Sequence, residues 1–190
     1  MTAHAAAQAK GSPNPKGPRP DVEAELNNLA MSKESQPLFD AVKKHIDENV
    51  APITEEFYRL GEGRKDRWSW APGQLELLEK AKDKAKKAGL WNFFLPHSEI
   101  GRGLTNLDYA YIAAELGKYP LASESLNCSA PDTGNMEVLY RYGTEAQKEE
   151  WLKPLLAGEI RSAFAMTEPD HACSDATNVQ TRIERDGDHY

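Results

Sequence analysis

Cysteine is scarce in this chain: Cys128 and Cys173 are the only two. A pair cannot build the multi-bridge framework of small secreted domains, and nothing near the N-terminus has the apolar core of a secretory signal, so a reducing, intracellular setting is expected. Long hydrophobic runs are missing too. No stretch approaches the roughly 18 apolar residues of a membrane span, and no transmembrane segment is expected. Positive charge is in deficit, with 23 Lys and Arg against 30 Asp and Glu and a formal charge of −7. That balance excludes the basic face on which nucleic-acid binding depends. Met1 to Pro20 has almost no large apolar side chain and is rich in Ala, Pro and Gly. It cannot offset its own ordering entropy, and residues 1–34 are expected to form a disordered leader. Lys10, Lys16 and Arg19, with few acids around them, give it a faint likeness to a transit peptide, without the arginine and serine density of such peptides. A Walker loop and a complete dinucleotide glycine fingerprint are also absent; Gly101 and Gly103 are read as a turn.

What is present is a chain of 190 residues, 39% hydrophobic, long enough to bury a real core. From Pro37, the residues Leu38, Val42, Ile46, Val50, Ile53, Phe57 and Leu60 recur at steps of three and four, which predicts a helix capped by Ser35 and kinked or split at Pro52. Trp68 and Trp70 are read as anchors of a surface connection. A second helix is predicted from Pro72, with Leu75, Leu78, Ala81, Ala85 and Ala88 inward and the lysines, Lys82 among them, on a solvated face. Leu90 to Pro96 is compatible with a strand or a buried loop. A third helix capped by Asn106 is expected to bury Leu107, Ala110, Tyr111 and Ala114. A fourth from Asp132 is expected to bury Met136, Leu139 and Tyr140. In the fifth, Thr144 and Gln147 form a capping box, and Trp151, Leu152, Leu155 and Leu156 form the buried stripe before Gly158. Leu121 to Pro131 carries no pattern.

After Gly158 the period changes from helical to two. Ala163 to Thr167 and Val179 to Arg185 read as strands, and Asp186-Gly187 as a hairpin turn. An extended run with unpaired main-chain groups at Phe164 to Thr167 suits the donor and acceptor edge of a flavin, and Thr167 adds a hydroxyl. Ser174 and Thr177, with turn amides, could hold a pyrophosphate, while Asp170 and Asp175 would have to cap turn amides and point away. A strand and polar turn without any ligand satisfies the same residues. Asp170, His171, Cys173 and Asp175 mix hard and soft donors without a recognised metal spacing.

Taken in order, Gly143-Thr144-Glu145-Ala146-Gln147-Lys148, Trp151-Leu152-Lys153-Pro154-Leu155-Leu156-Ala157-Gly158-Glu159-Ile160, Ala163-Phe164-Ala165-Met166-Thr167-Glu168-Pro169 and Ser174-Asp175 resemble the acyl-CoA dehydrogenases. The likeness runs from about residue 38 to 190 and departs from the usual pattern in the turn after Pro169. That turn is longer, with Asp170, His171 and Cys173 where small glycines are usual. The resemblance implies a mainly α fold: an N-terminal helical bundle over 35–160, then the first strands of an incomplete β-domain over 161–190. It also implies FAD, held by Phe164, Ala165, Met166 and Thr167 through main-chain groups and the Thr167 hydroxyl. Cys173 and Ser174 would lie by the pyrophosphate, with a substrate contact at Ser174. The implied reaction is α,β-dehydrogenation of an acyl-CoA to a 2-enoyl-CoA. Electrons would pass to electron-transfer flavoprotein or a similar acceptor, in a homo-oligomer of the mitochondrion or peroxisome. The family's glutamate base matches no residue here, so no catalytic residue is named and the chain alone is expected to be inactive. Two other readings share these features: a non-catalytic helical interaction module, and an acyl-CoA oxidase or nitroalkane oxidase.

Overall fold

The computed structural model describes residues 29–96 and 99–190. Backbone contacts divide the chain into Met1–Ala30 and Met31–Tyr190. Of the first unit only residues 29 and 30 are described, so the expected leader lies mostly outside the described residues. Its last part, in the second unit, does not. Ser32 donates its amide to Asp108 Oδ1 at 2.7 Å, and the turn from Ser32 to Ser35 leads into the first helix.

That helix, α1 (Gln36–His45), carries Pro37 in its first turn, where a missing N–H costs nothing. Ser35 stands at the cap position, where its carbonyl accepts the Phe39 amide but its side chain bonds no helix amide; Ser32 donates its hydroxyl to Ser35 Oγ instead. Pro52 does not break the helix. A five-residue π-helical turn, Ile46–Val50, joins α1 to α2 (Ala51–Gly61). The wider turn carries the backbone past the carbonyl against which the Pro52 ring would otherwise press. The same solution recurs before Pro154, where the π turn Lys148–Leu152 follows the short α7 (Glu145–Gln147) and precedes α8 (Lys153–Ala157).

Between them lie α3 (Gln74–Lys87), α4 (Asn106–Leu116), α5 (Pro120–Ser125) and α6 (Asp132–Tyr142). The main core gathers Val42, Ile46, Val50 and Phe57 with Leu78, Ala85, Ile112, Leu116 and Leu126. A smaller one, Met136, Leu152 and Leu155, packs under α6 and α8, and Phe94 touches both. Leu90 to Pro96 is a buried loop, not a strand. Asn92 and Asn127 both take left-handed conformations and bond each other at 2.7 Å, while Asn92 and Trp91 each donate to the carbonyl of Leu156 at 2.7 Å. Asparagine tolerates that backbone region, and its amide satisfies carbonyls that a loop would leave bare.

Several expected faces are corrected. In α4 the buried residues are Asp108, Ile112 and Leu116, whereas Ala110, Tyr111 and Ala114 are exposed. This helix is apolar nearly all round, so periodicity could not choose its inner face; Asp108, tied to Ser32 and to the N-cap Thr105, fixes the rotation. The cap is thus Thr105, not Asn106. In the second helical stretch, Leu75 and Ala88 are exposed, while Lys82 is buried between Glu79 and Glu124. Trp151 is half exposed rather than part of the buried stripe. Thr144 and Gln147 do form the capping box.

The last thirty-odd residues correct the fold class in one respect. Among the described residues there is no strand: 163–167 and 179–185 contain no helix, turn or ladder, and the one ladder contact is the bridge between Asp186 and His189 across the Asp186-Gly187 turn. Alternating side chains favour extension, but a strand exists only when another main chain takes up its bonds in a ladder, and among the described residues only the side chains of Glu168 and Asn135 reach these runs.

Candidate functional site

The candidate site is built where the bundle releases the chain. Gly158 turns left-handed at the end of α8, and a Cβ there would stand 2.7 Å from Cζ2 of Trp91. Three residues later the chain is clamped. Asp132, buried in the first turn of α6, accepts the Ser162 amide at 2.7 Å and its hydroxyl at 2.6 Å on Oδ1, and Arg161 Nε at 2.5 Å on Oδ2. Arg161 Nη1 reaches Glu124 Oε1 at 2.6 Å, which also receives Lys82 Nζ at 3.2 Å. Asn135 donates to Ser162 Oγ at 2.8 Å and to the carbonyl of Ala163. Burial alone would raise the Asp132 pKa, but the Ser162 bonds and the Arg161 charge more than reverse that and hold it below the ordinary carboxylate value.

From Phe164 to Thr167 the main chain forms no helix, turn or ladder, and its N–H and C=O groups have no hydrogen bond among the described residues. Phe164, Ala165 and Thr167 are exposed and Met166 is half-buried; the Thr167 hydroxyl has no partner among the described residues. An apolar groove of about 560 Å³, lined by Val138, Leu139, Trp151, Leu155 and Ile160, adjoins Ala163 at the start of this run.

Glu168 then closes a loop. Its carboxylate accepts the amides of Gln180 at 3.1 Å and Thr181 at 2.7 Å and the Thr181 hydroxyl. Those bonds, the Thr181 hydroxyl first, bring its pKa down to about 2. Within the loop, Asp175 accepts both the amide and the hydroxyl of Thr177. Thr177 is therefore occupied and not available to an anion, and Asp175 caps a turn. Cys173 is buried, with its thiol pKa pushed up by that burial, and donates to the His171 carbonyl. Ser174 is exposed, with a hydroxyl that has no partner among the described residues. No group of three or more His, Cys, Asp or Glu side chains is placed to hold a metal ion among the described residues.

The free edge and the turn are thus legible in the sequence, but the groups that position them are not. Nothing in a periodicity marks Asp132 and Glu124 as partners of Arg161, or Lys82 as a partner of Glu124, because those contacts join residues about thirty and more positions apart. Glu168 carries no local signal of its role either; its pairing with 180–181 is a consequence of the turn between them.

A helical bundle thus releases the chain through a clamp into an exposed run of main-chain groups without partners among the described residues. Residues 32–159 match the acyl-CoA dehydrogenase N-terminal domain, and the chain belongs to the acyl-CoA dehydrogenase family. It is 50% identical over 163 residues to acyl-CoA dehydrogenase family member 11 of Gallus gallus, covering 84% of this chain and 20% of that protein. With family member 10 of Mus musculus it shares 48% identity, covering 83% and 15% respectively. Among solved structures, a putative acyl-CoA dehydrogenase from Mycobacterium abscessus superposes with a TM-score of 0.68 at 47% identity, over 78% of this chain and 37% of that one. The chain thus spans about a fifth or less of the length of these curated relatives. No helix among the described residues is long and apolar enough to cross a membrane.

Proposed function

We propose that this chain supplies the N-terminal domain and the flavin-facing edge of an FAD-dependent acyl-CoA dehydrogenase that desaturates an acyl-CoA to a 2-enoyl-CoA. One observation carries the reading: the four residues Phe164, Ala165, Met166 and Thr167, all but Met166 exposed, follow a bundle of this family and offer a row of main-chain donors and acceptors without partners among the described residues. That donor set fits the polar edge of an isoalloxazine, which requires both kinds of group in a line. FAD, when bound, would supply the two-electron acceptor. The chain's own part is to orient it: main-chain groups from Phe164 to Thr167 fix the ring edge, and the Thr167 hydroxyl donates where negative charge collects on reduction. Ser174, on the turn that Glu168 and Asp175 close, offers a free hydroxyl for the pyrophosphate and for the substrate near it. Cys173, buried in that turn, donates to the His171 carbonyl. The first strands of a β-domain would then be the runs 163–167 and 179–185, paired by segments such as those the longer relatives have room for. Transfer of electrons to electron-transfer flavoprotein or a similar acceptor, homo-oligomerisation, and residence in mitochondria or peroxisomes belong to the same proposal.

The test is titration of FAD into the purified chain, read by quenching of flavin fluorescence and by the shape of the visible band. Saturable quenching that weakens in Thr167→Val is expected, with no dehydrogenation of any acyl-CoA by the chain alone. A flavin spectrum indifferent to saturating protein would sink the cofactor assignment, and measurable turnover would overturn the expectation that the α-proton base lies elsewhere.

A further inference from the structure

A continuous row of buried and half-buried charge lies at the exit of the chain toward the free edge. Lys82 on α3, Glu124 on α5 and Asp132 on α6 converge with Arg161 in an unbroken series of ion pairs: Lys82 to Glu124 at 3.2 Å, Glu124 to Arg161 at 2.6 Å, Arg161 to Asp132 at 2.5 Å. Burying such a row is costly unless every member is paired. Here every member is. The two Asp132 oxygens bond Arg161 and Ser162, beyond the end of the bundle. Asn135, one turn further along α6, holds Ser162 and Ala163. Beyond Ala163 nothing binds the main chain until the loop that Glu168 closes, among the described residues. The direction in which residues 164–167 leave the bundle is therefore set at 161–163 and by these groups.

We infer that Asp132 is a positioning residue: with Glu124 it locks Arg161 and Ser162, so that the unpaired edge from Phe164 to Thr167 is presented in one direction and register. The function of that edge rests on the proposed flavin contact; the lock itself does not. The two acids act differently. Asp132 grips both the side chain of Arg161 and the main chain of Ser162, which fixes rotation as well as place, whereas Glu124 joins the guanidinium to Lys82 and so to α3. A two-pronged guanidinium held between two carboxylates has little freedom to swing, which is the quality a presented backbone edge requires.

The experiment uses the whole chain and two variants, Asp132→Asn and Arg161→Gln. The second changes a side chain that is half exposed and outside both cores, so it keeps the question open should the first fail to fold. Backbone ¹⁵N relaxation is measured at Ala163 to Thr167 and, as internal control, at Val42, Ile112 and Leu155. In the wild type, Ala163 and Phe164 are expected to be as ordered as the helices. In both variants, order parameters from Ala163 to Thr167 should fall toward flexible-chain values, below about 0.6, with the control residues unchanged. FAD titration of the same samples should show affinity weakened roughly tenfold, the effect of losing one charged hydrogen bond from the lock. Unchanged relaxation in both variants overturns the lock, whatever the flavin does. If relaxation responds but the wild-type chain does not bind flavin, the lock is supported and the cofactor reading is the one that fails.

Discussion

Two parts of this chain follow opposite rules. The bundle, from α1 to α8, is held by apolar side chains that no longer see water: Val42, Val50, Phe93, Ile112 and Met136 are fully buried. The stretch from Arg161 to Tyr190 has one buried residue, Cys173, and is held by carboxylates gripping amides and hydroxyls: Asp132 on Ser162, Glu168 on Gln180 and Thr181, Asp175 on Thr177. The first is stabilised by burial and does not depend on direction. The second is shaped by directed bonds, each of modest net worth in water, and it keeps its main-chain edge open. Main-chain groups left open in this way gain nothing from the fold, so the stability of the chain rests on the core behind them.

The sharpest way to break this contrast is a pair of truncations. Phe93→Ala should cost about 3–5 kcal/mol in denaturant unfolding, through lost transfer energy and a cavity in the main core. Phe164→Ala, at a side chain 67% exposed, should stay within about 0.5 kcal/mol. Equal losses would mean that Phe164 is packed and the edge is not open. The junction comes next. Gly158→Ala forces a Cβ into a left-handed position against the Trp91 ring, so a loss of about 1–3 kcal/mol is expected in the same assay.

Acid should act on the two parts in different pH ranges. In the bundle, burial and, second, the nearby Lys84 charge lower the pKa of His45, whose Nε2 meets the buried hydroxyl of Ser125 at 3.1 Å. The Ser125 hydroxyl also lies 2.9 Å from the Ala122 carbonyl, an arrangement that suits a neutral His45 with its proton on Nε2. The unfolded chain then binds the His45 proton more readily than the folded one. Its contribution is complete above the ordinary value of 6.5 and declines as pH falls toward the lower folded value, by at most about 1.4 kcal/mol per pH unit. His45→Gln, which keeps a donor for Ser125, should flatten that part of the pH–stability curve. In the tail the change is local. Glu168 is depressed from 4.5 to about 2 by the bonds it accepts, so the closed loop should persist above 4.5 and open as pH falls through about 2. The amide signals of Gln180 and Thr181 report it. Glu168→Gln should remove that titration and leave the melting temperature of the bundle unchanged; a shift of several degrees would show that the tail supports the core after all.

The elements differ widely in how far local sequence reveals them. The Thr144 and Gln147 capping box is readable because both partners lie within one turn, and Val42, Ile46, Val50 and Phe57 because their spacing has a single helical solution. The inner face of α4 is not, since Leu107, Ala110, Tyr111 and Ala114 form an apolar stripe of their own beside Ile112 and Leu116, and a buried carboxylate chooses between the two. Lys82 sits among lysines that do face water, and only its neighbours across the bundle distinguish it. In the candidate site, the unpaired run from Phe164 to Thr167 and the capping role of Asp175 agree with the sequence; the use of Thr177 for an anion does not, because Asp175 takes both of its donors.

What the amino-acid order determined by itself is local: helices where apolar residues recur at three and four, stops at glycine, an extended run where side chains alternate, and the membership in a family that those motifs announce. What required the folded chain is every choice between equivalent local solutions. Which side of α4 turns inward, whether Pro52 breaks a helix or widens it, and where Arg161 finds its carboxylates all depend on groups distant in sequence. The reason is physical: periodicity encodes the free energy of one element against water, whereas direction and pairing are settled by the mutual desolvation of several elements, which exists only once they have met.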